Sequence, residues 1–320
     1  MTATGTNKRS ASEKAAAGVL RRTGGLQILE APEFGRLRWL VHGFSTRPGG
    51  GSKLETSRDG RLRTEKVLNL GFTDWDSKER VIENRRKFFH ALGADKMRAV
   101  AMRQIHSDII HVVRGDEARA SGNAACETAP KADAVITRER GMLLAVQTAD
   151  CIPILLADDK SRAVAAIHSG WRGTLGRIAE KALGCMQMEF GTRPEDVVAA
   201  LGPGIGQCCY EVGAEVAKEF QSQFSEARAW FDGPFDVLAA GENDPGWLPW
   251  LTMMPPGHQP PPPKANLDLM AANRSILVRA GVAPKRIFSS RFCTACRTDL
   301  FFSYRRERTT GRLMAAIGIL

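Results

Sequence analysis

The stretch TADCIPILLADDKSRAVAAIHSGWRG, residues 148–173, places two apolar runs on either side of a short polar turn. The runs 152–157 and 163–168 are rich in aliphatic residues, which is typical of buried β-strands. The residues between them, 158–161, are Asp-Asp-Lys-Ser and predict a hairpin turn. Because antiparallel neighbours lie about 5 Å apart, we expect Cys151 and His168, at the open end of this hairpin, to come together.

The pattern around this hairpin predicts further strands and helices. Strand-like runs also cover 98–104, 109–113, 134–137 and 142–148. Helical periodicity follows Ser77, Thr174, Gly213 and Asp268, and a last apolar strand is expected over 314–320. The strands do not alternate regularly with the helices, and several are joined as hairpins. The sequence therefore predicts one α+β unit with mixed sheets and helices on the outside.

Composition limits the class of protein. The chain has 320 residues, 43% of them hydrophobic, which is enough for one large domain or two modest ones. The net charge of +10 is concentrated near the start and in residues 52–66, and we interpret it as a solubilising surface. The sequence contains no aromatic RNA-binding motif, no zinc-finger spacing and no basic heptad helix, so it does not predict specific nucleic-acid binding. No apolar stretch is as long as a membrane span, so we expect no membrane partner.

Domain boundaries follow from local composition. Residues 1–25 are rich in Ala, Lys and Arg and predict a disordered basic tail, followed by a single domain over 26–320. Residues 52–66 predict an exposed basic excursion, and 231–264, with four consecutive prolines, an irregular insertion. Seven cysteines, two of them adjacent, argue against a disulfide framework and for a reducing compartment. We expect a cytoplasmic protein, either monomeric or homodimeric.

The end of an earlier strand-like run adds a third candidate ligand, His106, to Cys151 and His168. Together they would give zinc three ligands and leave the fourth position open, as in catalytic zinc sites, where the metal lowers the pKa of a bound water. Copper would also accept imidazole and thiolate. Without a metal, Cys151 and His168 could instead form a nucleophile pair. A buried thiol and two core histidines are the alternative to both.

Other residues point to anion binding. A strand that runs through HSGWRG, residues 168–173, into a helix presents free backbone N–H groups, and Arg172 could clamp a phosphate. His42 and Arg47 flank a loop rich in glycine and proline, and Arg47 is a second candidate for the anion. Tyr304 and Arg305 could close a pocket. Cys293 and Cys296 have C-x-x-C spacing, which alone is weak evidence for a redox or metal site. Cys208 and Cys209 could complete a separate zinc site, but adjacent zinc ligands would be awkward, so we favour packing roles for all four cysteines.

From about His42 to Leu320 the chain resembles the laccase-domain family, also called multicopper polyphenol oxidase-like proteins. Bacterial members of this family are also described as purine nucleoside phosphorylases and as peptidoglycan editing factors. The resemblance rests on an ordered series of motifs: HGFSTRPGG (42–50), LNLG (68–71), ENRR (83–86), QIH (104–106), ADAVIT (132–137), TADCIP (148–153), HSGWRG (168–173), LGPGIGQCCYEVG (201–213), DLMAANR (268–274), CTAC (293–296) and FFSYRR (301–306).

The resemblance implies a single-domain, four-layer α/β/β/α sandwich in which His106, Cys151 and His168 are zinc ligands and catalytic residues. It implies phosphorolysis of adenosine, inosine, guanosine or methylthioadenosine, with adenosine deamination, so that purine nucleosides and phosphate are the partners. As a hypothesis, Arg47 and Arg172 hold the phosphate, and Asp108 or Asp150 moves the proton. The segments 52–66 and 231–264 depart from the family and could alter substrate preference.

Three other functions stay open. The first is a Cys-His hydrolase or amidase for peptidoglycan precursor editing, with Cys151 as nucleophile and His168 as base. The second is a copper-dependent polyphenol oxidase. Six histidines without a His-x-His pair exclude a four-copper centre, so this activity would need one copper in the zinc position. The third is a non-enzymatic zinc module that recruits a partner through the proline-rich insertion.

Overall fold

The computed structural model describes residues 18–58, 61–115, 129–236 and 264–320. The strands are β1 (Val19–Thr23), β2 (Leu26–Glu30), β3 (Leu40–Ser45), β4 (Pro48–Arg58), β5 (Arg61–Val67), β6 (Arg98–Ala101), β7 (Ile110–Val112), β8 (Ala134–Thr137), β9 (Met142–Thr148), β10 (Ile152–Asp158), β11 (Ala163–Ser169), β12 (Val197–Leu201), β13 (Glu211–Val212), β14 (Phe231–Asp232), β15 (Ala265–Leu267), β16 (Ile287–Ser289) and β17 (Leu313–Ile319). The α-helices are α1 (Lys78–Leu92), α2 (Trp171–Leu175), α3 (Ile178–Phe190), α4 (Ala214–Gln223), α5 (Leu269–Arg279) and α6 (Tyr304–Glu307). Short 3₁₀ helices cover Pro32–Arg36, Pro194–Asp196, Gln207–Cys209, Ala227–Trp230 and Pro284–Arg286.

Two six-stranded sheets form the centre of the fold. The first has the order β1-β2-β3-β17-β9-β6 and the second the order β16-β12-β10-β11-β8-β7. Each sheet contains both parallel and antiparallel pairs. In the first sheet β9 is parallel to β6 and antiparallel to β17. In the second sheet β12 is parallel to β16, and β10 is antiparallel to β11. The mixed sheets agree with the prediction from the sequence.

The sheets pack face to face, with helices outside. Along β17, Ala315 and Ile317 point into the apolar layer between the sheets, whereas Met314 and Ala316 point to α1, as the two-residue period of a strand requires. The outer face of the second sheet packs against α3, α4 and α5. The order of layers is helix, sheet, sheet, helix, which confirms the predicted α/β/β/α sandwich.

Helix ends follow from the residues that cap them. The side-chain oxygen of Ser77 accepts a hydrogen bond from the Arg80 N–H at 3.3 Å, and Gly93 ends α1 in the left-handed region at φ 74°. Asp268 caps α5 by accepting from the Ala271 N–H at 2.8 Å. The helix expected from Thr174 is divided instead into α2 and α3, because Arg177 adopts φ 56° between them.

The hairpin of β10 and β11 has the expected register. Pro153 lies opposite His168 and Ile152 opposite Ser169, so that Cys151 comes beside the end of β11. Cys151 lies on the connection that crosses from β9 in the first sheet to β10 in the second. His106 lies on another such crossing, between β6 and β7. Both crossings reach the same end of the sandwich.

The prediction that the chain is disordered up to residue 25 is wrong for residues 19–23. These residues form β1, which pairs with β2 through a tight turn at Gly24 and Gly25. Both glycines have positive φ, 57° and 80°, as the type I′ hairpin turn requires. The Gly24-Gly25 pair indicates this turn, whereas the Ala-, Lys- and Arg-rich composition of residues 1–25 had suggested disorder. Residues 1–17 lie outside the described residues.

In the segment 52–66, predicted as an exposed basic excursion, residues 52–58 and 61–66 form most of an antiparallel hairpin, β4 with β5. Its inward residues, Leu54 and Val67, pack against Phe301 and Phe302, which gives this polar segment an apolar anchor. Gly50 lies within β4, and a Cβ there would be 2.2 Å from the Val67 carbonyl oxygen. Of the proposed insertion 231–264, β14 pairs with β15, and positions 237–263 lie outside the described residues.

None of the helices within the described ranges is long and apolar enough to span a bilayer.

His42 lies on β3 and serves the packing of this strand. Its Nε2 accepts a hydrogen bond from the Ala31 N–H at 3.0 Å, and its ring contacts the Phe34 ring edge-on at 4.8 Å. Burial lowers the pKa of His42 from 6.5 to about 4. The neutral ring is therefore the form that the folded protein holds at neutral pH.

We predict that this histidine destabilises the protein in mild acid. Its folded pKa is lower than its unfolded one, so the unfolded chain takes up the proton first as the pH falls below 6.5. The free energy of unfolding should drop by about 2 kcal/mol between pH 7 and pH 5 because of His42 alone. Urea unfolding of the wild type and His42→Gln at both pH values measures this. Equal losses in the two proteins would contradict the assignment.

Candidate active site

Three side chains from three parts of the chain converge at one end of the sandwich. His106, Cys151 and His168 each offer one ligand atom, and these atoms lie within 4.8 Å of one another. The rings of the two histidines pack edge to face, with centroids 4.9 Å apart. The structure brings together the three residues that the sequence analysis selected. Metal binding by them stays a prediction.

The buried carboxylate of Asp133 holds this cluster in place. Its Oδ1 accepts hydrogen bonds from His168 Nδ1 at 2.8 Å and from the His106 N–H at 3.1 Å. Its Oδ2 accepts from the N–H groups of Ile105 and Ser107 and from the Ser107 hydroxyl. Burial raises the pKa of Asp133, but the hydrogen bonds from His168 and Ser107 outweigh it, and the net pKa is well below its ordinary value. The carboxylate therefore stays charged.

Asp133 also fixes which nitrogen of His168 faces the cluster. Because Nδ1 donates to the carboxylate, Nε2 is the ring nitrogen left to bind a metal ion, the arrangement found at many zinc-bound histidines. The same carboxylate holds three successive N–H groups, 105–107, and with them the left-handed backbone of His106 at φ 59°. The donor set of two imidazoles and one thiolate suits zinc and tolerates copper.

Cys151 and His168 shift each other's proton affinity. Burial raises the pKa of the Cys151 thiol, but the charge of His168 and hydrogen bonds from both histidines lower it overall from 9.0 to about 6. Burial lowers the pKa of His168, whereas Cys151 and Asp133 raise it overall to about 9. In the protein without metal, the two residues therefore form a thiolate and an imidazolium at neutral pH.

The glycine of the HSGWRG motif leaves room for this cluster. A Cβ at Gly170 would lie 2.9 Å from Cys151 Sγ and 3.6 Å from His106 Cδ2. Contacts below 3.0 Å would force Cys151 to move, because Gly170 is fixed as the first residue of the turn into α2. Gly170 thus contributes the space that it leaves beside the sulfur.

A cavity of about 690 Å³ opens in front of the cluster. Three aromatic side chains, Trp171, Tyr210 and Tyr304, contribute to its wall. The arginines among the described residues that line it are Arg103, Arg172, Arg305, Arg308 and Arg312. Such a cavity offers aromatic faces for a planar ring and positive charge for an anion.

Of the predicted substrate residues, Arg172, Tyr304 and Arg305 line this cavity, whereas His42 and Arg47 do not. The Arg47 side chain is only 2% exposed and forms ion pairs with Glu65 at 2.9 Å and Glu307 at 2.6 Å. It also donates to the Thr298 carbonyl oxygen at 3.0 Å. Because Glu65 lies on β5 and Glu307 on α6, Arg47 connects the β4–β5 hairpin to α6 and does not face the cavity.

The two carboxylates considered for proton transfer are already engaged. Asp150 accepts from the Thr294 hydroxyl at 2.7 Å and from the Arg305 N–H at 2.6 Å. Asp108 forms an ion pair with Lys181, and the hydrogen bond from that lysine lowers the pKa of Asp108. Both therefore support neighbouring residues in this structure.

Sequence reasoning missed Asp133 and Tyr210. Asp133 stands in the motif ADAVIT, where a single acid directly before a buried strand was a usable signal. Tyr210 follows the paired cysteines and faces the cavity. Burial raises the pKa of its phenol, so Tyr210 keeps its proton at neutral pH.

Comparison with known proteins agrees with this architecture. Residues 41–320 match the family described as multi-copper polyphenol oxidoreductase laccase. The chain is 35% identical to the purine nucleoside phosphorylase YlmD of Geobacillus stearothermophilus over 283 residues, which is 87% of this chain and 89% of that protein. It is 34% identical to the adenosine deaminase RL5 of an unknown prokaryotic organism, over 87% and 93% of the two chains. The crystal structure of the Bacillus licheniformis hypothetical protein YfiH superposes with a TM-score of 0.75 at 30% identity, covering 94% of this chain and 99% of that one.

We predict that Asp133→Asn weakens metal binding by His106, Cys151 and His168. The amide of Asn has no negative charge to attract the His168 Nδ1–H. Both oxygens of Asp133 accept hydrogen bonds, so the NH₂ group of Asn would replace an acceptor with a donor. Losses of about 10- to 100-fold in zinc affinity are typical for such supporting carboxylates. Competition with a chromophoric chelator measures the affinity, and circular dichroism checks the fold. Asp108→Asn, which makes the same change nearby, should bind zinc like the wild type. Equal affinity in all three proteins would contradict the role of Asp133.

Proposed function

This chain belongs to the multi-copper polyphenol oxidoreductase laccase family, and we propose that it is a zinc-dependent purine nucleoside phosphorylase that also deaminates adenosine. Adenosine, inosine, guanosine and methylthioadenosine are the proposed substrates, with phosphate as the second one. Relatives that bear the names purine nucleoside phosphorylase and adenosine deaminase support a nucleoside-processing role.

The observation that carries the proposal is that the His-Cys-His cluster and the arginines open onto one cavity. Phosphate is a dianion near neutral pH and needs cations with free N–H groups. In the described part of the chain, neither Arg172 nor Arg308 forms an ion pair, although each lies against an aromatic ring. These two guanidinium groups are therefore free to bind phosphate oxygens.

The aromatic wall is suited to the purine. A volume of about 690 Å³ falls in the ordinary range for small-molecule sites. Tyr210 is held against the Arg305 guanidinium, at 5.1 Å from its ring centroid, and Arg305 donates to the Glu211 carbonyl oxygen at 2.8 Å. These contacts fix the Tyr210 ring before a ligand arrives. Its protonated hydroxyl can donate a hydrogen bond to a ring nitrogen of the base.

Phosphorolysis forms a bond between a phosphate oxygen and C1′ of the ribose while the bond from C1′ to the purine nitrogen breaks. The electron pair leaves with the purine, which then takes up a proton. The arginines hold the phosphate beside C1′ and balance its charge, and Asp133 keeps His168 and His106 oriented. A zinc ion held by His106, Cys151 and His168 would supply Lewis-acid polarisation. In adenosine deamination, water would instead attack C6 of the base, the bond from C6 to the exocyclic nitrogen would break, and ammonia would leave as inosine forms.

A second candidate is a Cys-His hydrolase or amidase acting on peptidoglycan precursors. One observation favours it: hydrogen bonds connect Cys151 to His168 and His168 to Asp133. In the metal-free protein the pKa of the Cys151 thiol is about 6. That is the arrangement of a nucleophile, a base and an orienting carboxylate.

A polyphenol oxidase would need copper in the same cluster, and its two imidazoles and thiolate also accept copper.

We predict phosphate-dependent release of adenine from adenosine and hypoxanthine from inosine by the zinc-loaded protein. Chelation should abolish the release, and added zinc should restore it. Arg172→Gln should raise the KM for phosphate about 10- to 100-fold, the cost of a hydrogen bond to a charged group. Arg193→Gln removes the same charge from an exposed position paired with Asp196 and should leave the KM unchanged. No nucleobase and no inosine from adenosine would overturn the proposal.

His106 separates the two candidates. His106→Ala removes a metal ligand but leaves Cys151, His168 and Asp133 in contact. We predict that nucleoside phosphorolysis falls below detection in this variant. A hydrolase that uses Cys151 as nucleophile would keep its activity and would be inactivated by iodoacetamide. Retained thiol-dependent activity in His106→Ala would therefore favour the second candidate.

A further inference from the structure

Four cysteines outside the active site form a second compact cluster. Cys208 and Cys209 end a 3₁₀ turn, and Cys293 and Cys296 lie in the loop that follows β16. The sulfur of Cys296 lies 3.5 Å from that of Cys208 and 3.4 Å from that of Cys209. All four sulfurs lie within 4.8 Å of one another. The two pairs are 84 or more residues apart in the chain, so the fold alone brings them together.

The sequence predicted packing roles for these cysteines, because adjacent ligands are awkward. In an extended strand, neighbouring side chains point to opposite faces. Cys208 and Cys209 lie in a 3₁₀ turn instead, and both sulfurs face the same loop. Their packing is also unlike that of ordinary buried cysteines, since Cys208 and Cys296 are exposed and each finds a sulfur as its neighbour.

The spacing of the sulfurs suits a tetrahedral metal site. Zinc binds cysteine sulfur at about 2.3 Å, which places the sulfurs of a Cys₄ site about 3.8 Å apart. The sulfur of Cys296 lies 3.4 and 3.5 Å from those of Cys209 and Cys208, close to this value. A disulfide joins sulfurs at about 2.0 Å and only in pairs, whereas Cys296 has two sulfur neighbours at nearly equal distances.

Backbone donors support thiolates at this cluster. The Gly206 N–H donates to Cys293 Sγ at 3.2 Å, and the Cys296 N–H also hydrogen-bonds to the Cys293 sulfur. Hydrogen bonds of this kind stabilise ligand sulfurs and orient them towards a metal. A Cβ at Gly206 would lie 3.1 Å from Cys293 Cβ and 3.3 Å from Cys208 Sγ, so the close approach depends on glycine.

We propose that Cys208, Cys209, Cys293 and Cys296 bind a structural zinc ion in a closed Cys₄ site. The ion would fasten the turn at 204–209 to the loop at 293–297. Thr294, between two of the ligands, donates to Asp150 Oδ1 at 2.7 Å and to the Gly204 carbonyl oxygen at 2.9 Å. Asp150 adjoins Cys151, so this second site braces the chain that carries a ligand of the first. Tyr210, next to Cys209, is held in the same way.

Metal content of the full-length protein tests the proposal. Purified from zinc-containing medium, the wild type should hold about two zinc ions per chain by elemental analysis. Cys208→Ser combined with Cys296→Ser should reduce this to about one, and Cys151→Ala should also reduce it to about one. Cys185→Ser removes a cysteine outside both clusters and should keep two. The same zinc content in the wild type and in the Cys208/Cys296 double variant would overturn the proposal.

Cobalt spectroscopy gives a readout that does not depend on the Cys208/Cys296 double variant folding. Cys151→Ala loses the thiolate of the first site, and with Cys126 and Cys185 also replaced by serine, any thiolate-to-cobalt charge-transfer band comes from the four cysteines. We expect a strong band that disappears on chelation, with the four thiols becoming reactive to a disulfide reagent at the same time. Absence of the band would overturn the zinc site. A protein mass lower by two hydrogens, restored by reduction, would also overturn it, because it would reveal a disulfide.

Discussion

The buried carboxylate of Asp133 is the constraint on which the candidate active site depends. An ionised group removed from water is costly unless donors surround it, and here the donors are the parts that the site must position. The carboxylate lies directly before β8, and its own carbonyl oxygen accepts from the His168 N–H at 2.7 Å as β8 pairs with β11. The pairing of two strands thus fixes both the position of His168 and the backbone of the loop that carries His106.

Local and periodic features of this fold could be read from the sequence. The apolar runs around Cys151 and His168 predicted their hairpin correctly, and Ser77 and Asp268 marked the helix starts. These features depend on neighbours in the chain. The family resemblance supplied the layer order, and it implied a zinc-ligand role for His106, which the end of a strand-like run had already made a candidate.

The features that the sequence did not reveal depend on residues far apart in the chain. Asp133 acts on a loop 26 to 28 residues away, and Arg47 pairs with Glu307 across 260 residues. Arg47 was a candidate anion ligand because it is a basic residue beside a loop rich in glycine and proline. Two carboxylates brought to it by the β4–β5 hairpin and α6 give it another partner. No local pattern predicts such an arrangement.

The positions of the metal-ligand candidates have a mechanical consequence. His106 and Cys151 lie on the two connections that pass from one sheet to the other, and His168 stands at the end of a strand in the second sheet. An ion shared by all three would act as a clasp across the open end of the sandwich and resist sliding of one sheet over the other. Without such an ion this resistance would be lost, so an ion bound there would also stiffen the packing of one sheet on the other.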